Sequence, residues 1–407
     1  MISSIKKFKE KYLREFLLVI FFITSISTSS ITNYSLRSFI IKIAASGILW
    51  CMIVIDIKKS KFNYKSFVKS KYFKRLLTIL IVFTLLLLTT LSYSFNPKFG
   101  TQKLLGFIIS TIPTIIAFSY LLKTNNETRV KVFMISITVA AVFSVFLILI
   151  LQPFSYYDMN IKNITSWSHV IYGRFIGSVY LIILFFYLNT KDKTLITFFP
   201  LAFAVIIIGV YLSGLRAMIL GVSILTPITL LISFLQKKVN IKKIAALVVA
   251  IAASITVIIT VIPGNEILTG RLENLQDFEK LRFNVDGPIQ TRFHFYKISF
   301  EILKEYPILG VGFGGFRNYK NDIATQTRKY PHNLFLEFAV ELGIPGILFC
   351  IYLLYLIFSS AKKVSIEVFI FFLFALWLAM FSKDISSQSL LWIGLAFVGV
   401  GREGFRA

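Results

Sequence analysis

Apolar runs of roughly 16–20 residues, each closed by a short polar or charged cluster, recur along nearly the whole chain and match a hydrocarbon core of ~30 Å. We read membrane spans at 16–32, 39–55, 76–94, 104–122, 132–151, 174–188, 195–212, 216–235, 244–262, 344–358, 366–381 and 389–401. Inside hydrocarbon every backbone polar group needs an internal partner, so these spans are predicted to be helices. Two segments break the rhythm. One is 152–173, with Pro153, Tyr156, Tyr157, Asp158, Trp167 and His169; the other runs from Pro263 to Gly343. A connection of roughly 80 residues is far longer than an ordinary loop and points to function. The chain therefore divides into 1–262 (spans one to nine), 263–343 (a large external segment) and 344–407 (spans ten to twelve).

The charges fix the threading. The 56–75 connection holds Lys58, Lys59, Lys61, Lys65, Lys69, Lys71, Lys74 and Arg75 against Asp56, and further clusters follow at alternate connections: Lys123, Arg129 and Lys131; Lys191 and Lys193; Lys237, Lys238, Lys242 and Lys243; Lys362 and Lys363; Arg402 and Arg406. The intervening connections carry little beyond Arg37, Lys98, Lys103, Lys162 and Lys383. By the positive-inside rule the basic connections and both termini are cytoplasmic, and the long segment lies outside. This alternation also accounts for the formal charge of +25, and it excludes a nucleic-acid surface, which would gather the bases on one face or tail. With 56% hydrophobic and 15% charged residues and a mean hydropathy of +0.77, the chain is unlike soluble domains, which carry about 25% charge. Cys51 and Cys350 both fall in spans, against a disulfide framework or a thiolate metal site. The basic N-terminus followed by an apolar run from Phe16 has a signal-peptide look but no A-x-A site, and it reads as a retained first helix.

Within the long segment, Thr291–Glu305 places Phe293, Tyr296, Phe300 and Leu303 at helical spacing, an amphipathic helix against membrane or bundle. Pro307 ends it. A second helix is predicted after Pro331, with Leu334, Phe335, Phe338 and Leu342 on one face and its end at Gly343. Between them Gly310-Val311-Gly312-Phe313-Gly314-Gly315 fits G-x-G-x-x-G literally, but no strand precedes it, so the dinucleotide reading is rejected. Gly312 and Gly314 are instead expected to allow a tight turn or a close backbone approach to sugar or phosphate.

Three residues carry the candidate chemistry. Arg216, in Ser213-Gly214-Leu215-Arg216, stands between two apolar runs, where a charge needs a partner, a cavity or an interface to snorkel to. Arg292 opens the amphipathic helix, and its guanidinium matches phosphate oxygens in a bidentate way; the alternative is a surface ion pair. His332, in Pro331-His332-Asn333, sits at a helix start, where the positive end of the dipole favours the neutral, proton-accepting imidazole; the alternative is a capping or packing histidine. His169 and His294 lack metal-ligand spacing to another His, Cys or carboxylate. No P-loop, sugar-nucleotide Asp-x-Asp or zinc signature is present in the sequence.

The strings Tyr306-Pro307-Ile308-Leu309-Gly310-Val311-Gly312-Phe313-Gly314, Pro331-His332-Asn333-Leu334-Phe335-Leu336-Glu337 and Glu341-Leu342-Gly343-Ile344-Pro345-Gly346, with the isolated Arg216, resemble the O-antigen ligase and O-antigen polymerase superfamily. The resemblance implies an all-α, GT-C-like membrane fold in the bacterial cytoplasmic (inner) membrane, without metal or cofactor. It also implies a donor glycan on undecaprenyl diphosphate and a glycan or lipid-linked acceptor, with a chain-length regulator as a further partner. By the family's pattern Arg216 and Arg292 bind the diphosphate and His332 orients or deprotonates the acceptor, with Tyr296, Gly312, Gly314 and Asn333 lining the substrate. His169 and Arg174 are secondary candidates. A single inverting displacement is expected, with the protein supplying position and charge. The diversity of polymerases favours a repeat-unit polymerase; the alternatives are a ligase that attaches finished glycan to lipid A-core and, from another class, a lipid-linked oligosaccharide flippase.

Overall fold

The computed structural model describes residues 69–123, 127–151, 169–236, 239, 241–261, 288–321, 330–360, 366–381 and 384–400, plus Val19, Gly47, Trp50, Cys51 and Val54. The predicted spans at 16–32 and 39–55, and the 152–168 part of the first external segment, lie outside this set except for those isolated positions. The described chain is helical throughout its regular elements. The helices are α1 (Lys71–Leu91), α2 (Pro97–Gly106), α3 (Ile112–Lys123), α4 (Glu127–Leu151), α5 (His169–Asn189), α6 (Lys193–Leu212), α7 (Arg216–Leu235), α8 (Ile241–Val261), α9 (Pro288–Glu305), α10 (Leu334–Ser360), α11 (Ile366–Ala379) and α12 (Ser389–Val400). A π-helical turn, Phe107–Thr111, fuses α2 to α3.

Among the described residues eight helices are long and apolar enough to cross a membrane. This bears out a multi-pass all-α membrane protein. Two predicted spans correspond to shorter helices: α11 has 14 residues and α12 has 12 described ones, about 21 and 18 Å at 1.5 Å per residue. The span expected at 104–122 begins earlier, because Asn96 caps Phe99 N at 3.0 Å and Pro97 takes the first helical position, where its missing N–H costs nothing. Lys103 is thereby drawn out of a connection and into a helix.

The centre of the bundle is α5, which buries nearly every residue from Ile171 to Leu184. It packs against α4, α6, α7 and α11. Without a hydrophobic force between helices in lipid, small residues set how closely they approach. A Cβ at Gly177 would lie 2.5 Å from Met218 Cγ on α7, so this crossing depends on the glycine. Outward-facing Leu85, Phe143, Leu201, Leu231, Val249 and Leu348 leave a lipid-compatible exterior.

The two ends of the bundle differ. At one end Lys131 pairs with Asp192, and Lys243 Nζ donates to the carbonyls of Tyr187, Leu188 and Thr190 at 3.0, 3.2 and 2.7 Å. A cation there complements the C-terminal dipole of α5. The other end gathers the 92–96, 213–215 and 380–388 connections with α9 and the start of α10.

A second, smaller core sits at this latter end: Phe295, Ile298 and Ile302 of α9 with Val311, Phe316, Tyr319 and Val340. Leu303 of the expected stripe packs against it. Phe293 and Phe300 are 68% and 58% exposed, because α9 is apolar on two sides and the 306–321 segment takes up the Phe295–Ile302 side. The second predicted helix is as expected, with Leu334, Phe338 and Leu342 buried. At Gly343 the backbone (φ 64°, ψ −151°) breaks α10, a conformation nearly restricted to glycine, and the membrane-crossing half continues beyond it.

Candidate functional site

The site is built where the two arginines and the histidine of the sequence reading are drawn to the same end of the bundle. Arg292, half-buried near the start of α9, points Nη2 at Phe381 O, 3.4 Å away. Phe381 follows α11, and its ring lies 4.9 Å from that of Trp377. Trp377 Nε1 in turn donates to Ala217 O at 2.6 Å. Arg216, exposed at the first position of α7, is therefore linked to Arg292 through the C-terminal turn of α11.

His332 reaches the same place from α10. Its ring stacks parallel on Phe295, with centroids 5.9 Å apart and planes 7° apart. Phe295 is three residues from Arg292 and so lies on the same face of α9. Tyr330 covers His332, ring centroid to centroid 4.4 Å. The backbone of His332 is left-handed, φ 60°, a conformation that costs most L-residues roughly 1–2 kcal/mol. Such outliers persist only where the surroundings hold them, often at functional sites. Asn333, expected at the substrate, accepts at Oδ1 from Phe335 N and Leu336 N, at 3.0 and 3.2 Å. It is the N-cap of α10 and orients the free helix end behind His332.

Arg174, a secondary candidate, is buried one turn into α5. Its Nη1 donates to Gln388 Oε1 and its Nη2 to Leu378 O, both at 3.0 Å. Tyr330 and Asp384 are close enough to act electrostatically on it. It thus holds the end of α11 and the 384–388 turn to α5 from the protein side. His169 opens α5, and His294 is exposed beside Phe295. Tyr296 is half-buried, its ring 6.5 Å from that of Phe293.

The glycines make their close approach to other backbone. A Cβ at Gly312 (φ +77°) would lie 2.3 Å from Ser94 Cα, and one at Gly314 would lie 2.6 Å from Gly100 N. Both residues are buried. The turn is fastened by Phe95 N to Val311 O (3.0 Å), Val311 N to Val340 O (2.8 Å) and Ser94 Oγ to Phe313 O (2.9 Å). Its glycines let the 306–316 segment lie flat on α1, α2 and α10.

Sequence reasoning missed a buried ionic cluster directly beneath. Lys103 Nζ lies 2.7 Å from Glu337 Oε1 and 2.7 Å from Glu341 Oε2, with all three side chains at 0% exposure. It also sits 4.4 Å above the ring of Phe313. A signal existed: Glu337 and Glu341 are four apart on an otherwise apolar helix, which puts both carboxylates on one face. Among the described residues no group of three His, Cys, Asp or Glu side chains is arranged to hold a metal.

Two guanidinium groups and an imidazole at one end of a bundle can bind an anion and hold a proton acceptor beside it. Comparison with known proteins bears on which anion. Residues 201–351 match the family model described as O-antigen ligase. The match spans Arg216, Arg292 and His332, and it supports assignment to the O-antigen ligase/polymerase superfamily. That family implies glycosyltransferase-like ligase or polymerase activity on lipid-linked glycans in a membrane setting. No curated protein matches the chain.

Proposed function

We propose, from the family assignment and the convergence just described, that this protein transfers an undecaprenyl-diphosphate-linked glycan to an acceptor sugar hydroxyl on the outer face of a bacterial cytoplasmic membrane, as a repeat-unit polymerase. Arg216 and Arg292 grip the diphosphate from α7 and α9. Planar guanidinium groups suit paired phosphate oxygens. His332 accepts the proton of the acceptor hydroxyl. The hydroxyl oxygen attacks the anomeric carbon, the bond from that carbon to the diphosphate oxygen breaks, and the leaving diphosphate carries its charge into the two guanidinium groups. Attack opposite the leaving group inverts the anomeric centre. The protein contributes position and preorganised charge rather than a covalent nucleophile.

The observation that supports this most is the placement of His332 and Arg292 on one face of α9, with Arg292 tied through Phe381, Trp377 and Ala217 to the start of α7. The test is a glycan ladder on a gel from cells carrying Arg216→Ala, Arg292→Ala or His332→Ala at normal expression. Loss of ladder in each supports the reading, whereas an unchanged ladder in all three overturns it. The description of the matched family favours a second reading, ligation of finished glycan to lipid A-core or another acceptor. On deletion of the gene a ligase leaves long polymer unattached, and a polymerase leaves no long polymer.

A further inference from the structure

The cluster of Lys103, Glu337 and Glu341 has no part in the displacement, yet its contacts join α2, the His332-bearing helix α10, the glycine turn and the turn that begins at Ile385. Glu337 is in the first half of α10, one turn beyond the Asn333 cap, and its N–H donates to Asn333 O at 3.0 Å. Its Oε1 takes Lys103, and its Oε2 accepts from Ile385 N at 3.0 Å. The turn begun by Ile385 presents Gln388 to Arg174 and follows Phe381, whose carbonyl receives Arg292. Glu341 Oε2 takes Lys103 and also accepts from Gly314 N at 3.0 Å, which ties in the glycine turn. Lys103 stands on α2 just before the π-helical turn, and Thr111 at the end of that turn donates to Ser386 O at 2.9 Å. The 384–388 turn is therefore held twice by the α2–α3 helix, once through an ion pair and once through a hydroxyl. Asp384 acts electrostatically on Lys103 as well.

Stability alone does not account for such a cluster. Burying an ammonium and two carboxylates carries a heavy desolvation penalty, and apolar side chains of similar volume often do as well or better. What an ion cluster supplies that apolar packing does not is direction, since each of the two carboxylates meets the ammonium and one particular backbone N–H. We propose that Lys103 is a positioning residue, with Glu337 and Glu341 as its arms, that fixes the distance between the His332-bearing helix start and the turn that presents Gln388 to Arg174 and follows Phe381, the partner of Arg292. The proposal rests on the reading of those residues given above. In physical terms, the ammonium sets how far the proton acceptor stands from the anion grip.

Two variants test it in purified protein reconstituted with a lipid-diphosphate-linked glycan donor. Glu337→Asp keeps the charge balance and shortens one arm by a methylene. The triple variant Lys103→Met, Glu337→Gln, Glu341→Gln removes all charge but keeps an acceptor oxygen for Ile385 N and Gly314 N. Both are expected to accumulate in the membrane at wild-type levels with KM for the donor within threefold of wild type. Their kcat is expected to fall at least tenfold, and amide exchange in peptides spanning 384–388 to quicken at least tenfold. A kcat within threefold of wild type in either variant overturns the proposal. So does failure of both variants to accumulate, which would make the cluster a requirement of folding. Should the wild-type protein transfer no glycan from this donor, the functional reading fails by itself, while the exchange measurement still judges the cluster: unchanged exchange at 384–388 removes the positioning role.

Discussion

Replacing His332 with asparagine separates what its backbone does from what its ring does. Asparagine is one of the few residues that visits the left-handed region readily, so His332→Asn recovers a large part of the roughly 1–2 kcal/mol that histidine gives up at φ 60°. It forfeits the parallel stack on Phe295, worth about 0.5–1.5 kcal/mol for aromatic pairs. The two terms oppose and are of similar size, so the net change in stability is expected to stay within ~1 kcal/mol. The rate is another matter. A positioned proton acceptor contributes typically ~10²–10⁴-fold, or about 3–5 kcal/mol of barrier at ~1.36 kcal/mol per decade. Thermal unfolding of purified protein and initial rates of glycan transfer, measured on the same preparation, should therefore part company: melting nearly unchanged, transfer lost by at least a hundredfold. His332→Ala keeps the left-handed cost and also loses the stack, so it should melt lower than His332→Asn with the same loss of rate. A His332→Asn protein that melts normally and transfers glycan within tenfold of wild type would refute the role of the imidazole and reduce His332 to a turn residue.

Three further outcomes follow from the geometry. Arg292→Lys keeps the charge but loses the planar fork, and should raise KM for the lipid-linked donor by about tenfold if paired phosphate oxygens are what Arg292 grips; an unchanged KM in steady-state transfer assays would speak against that grip. Gly312→Ala forces a left-handed alanine and sets a Cβ 2.3 Å from Ser94 Cα, which should destabilise the protein by about 2–4 kcal/mol from backbone and overpacking together, read as a clear drop in melting temperature. Trp377→Phe removes the 2.6 Å bond to Ala217 O, worth ~1 kcal/mol, and should weaken donor binding severalfold through the start of α7 while leaving membrane abundance near wild type.

The alternation of apolar runs and basic clusters made the described spans legible, since hydrocarbon thickness and the positive-inside rule act on single segments. The helix after Pro331 was equally legible, because a proline ahead of an apolar stripe and a glycine at its end are local signals, whereas the capping role of Asn333 shows only in the structure. Other features needed a partner to be seen. The stripe of Phe293, Tyr296, Phe300 and Leu303 on α9 is legible as a period, but the second apolar side of Phe295, Ile298 and Ile302 shows only once the glycine turn delivers Val311 and Phe316 to it. Lys103 looked like a loop charge because its counterions lie more than two hundred residues away. Arg174 was set at a span edge, and its partners Leu378 and Gln388 are likewise remote in sequence. Long-range ionic pairing leaves no periodic trace, and this is where sequence reading stopped.

The break at Gly343 has a bearing on how freely its surroundings can open. By interrupting the backbone ladder of α10, it frees an amide and a carbonyl that a continuous helix would have consumed, and the 306–311 stretch takes both: Ile344 N donates to Ile308 O, and Val340 O accepts from Val311 N. Lifting that segment away would strand these groups close to hydrocarbon, where unsatisfied backbone is heavily penalised. The 306–311 stretch is thus a fixed sill rather than a swinging cover. On the transfer reading proposed above, a glycan substrate passes beside it, and any widening of the entrance comes from side chains or neighbouring helices that leave those two bonds intact.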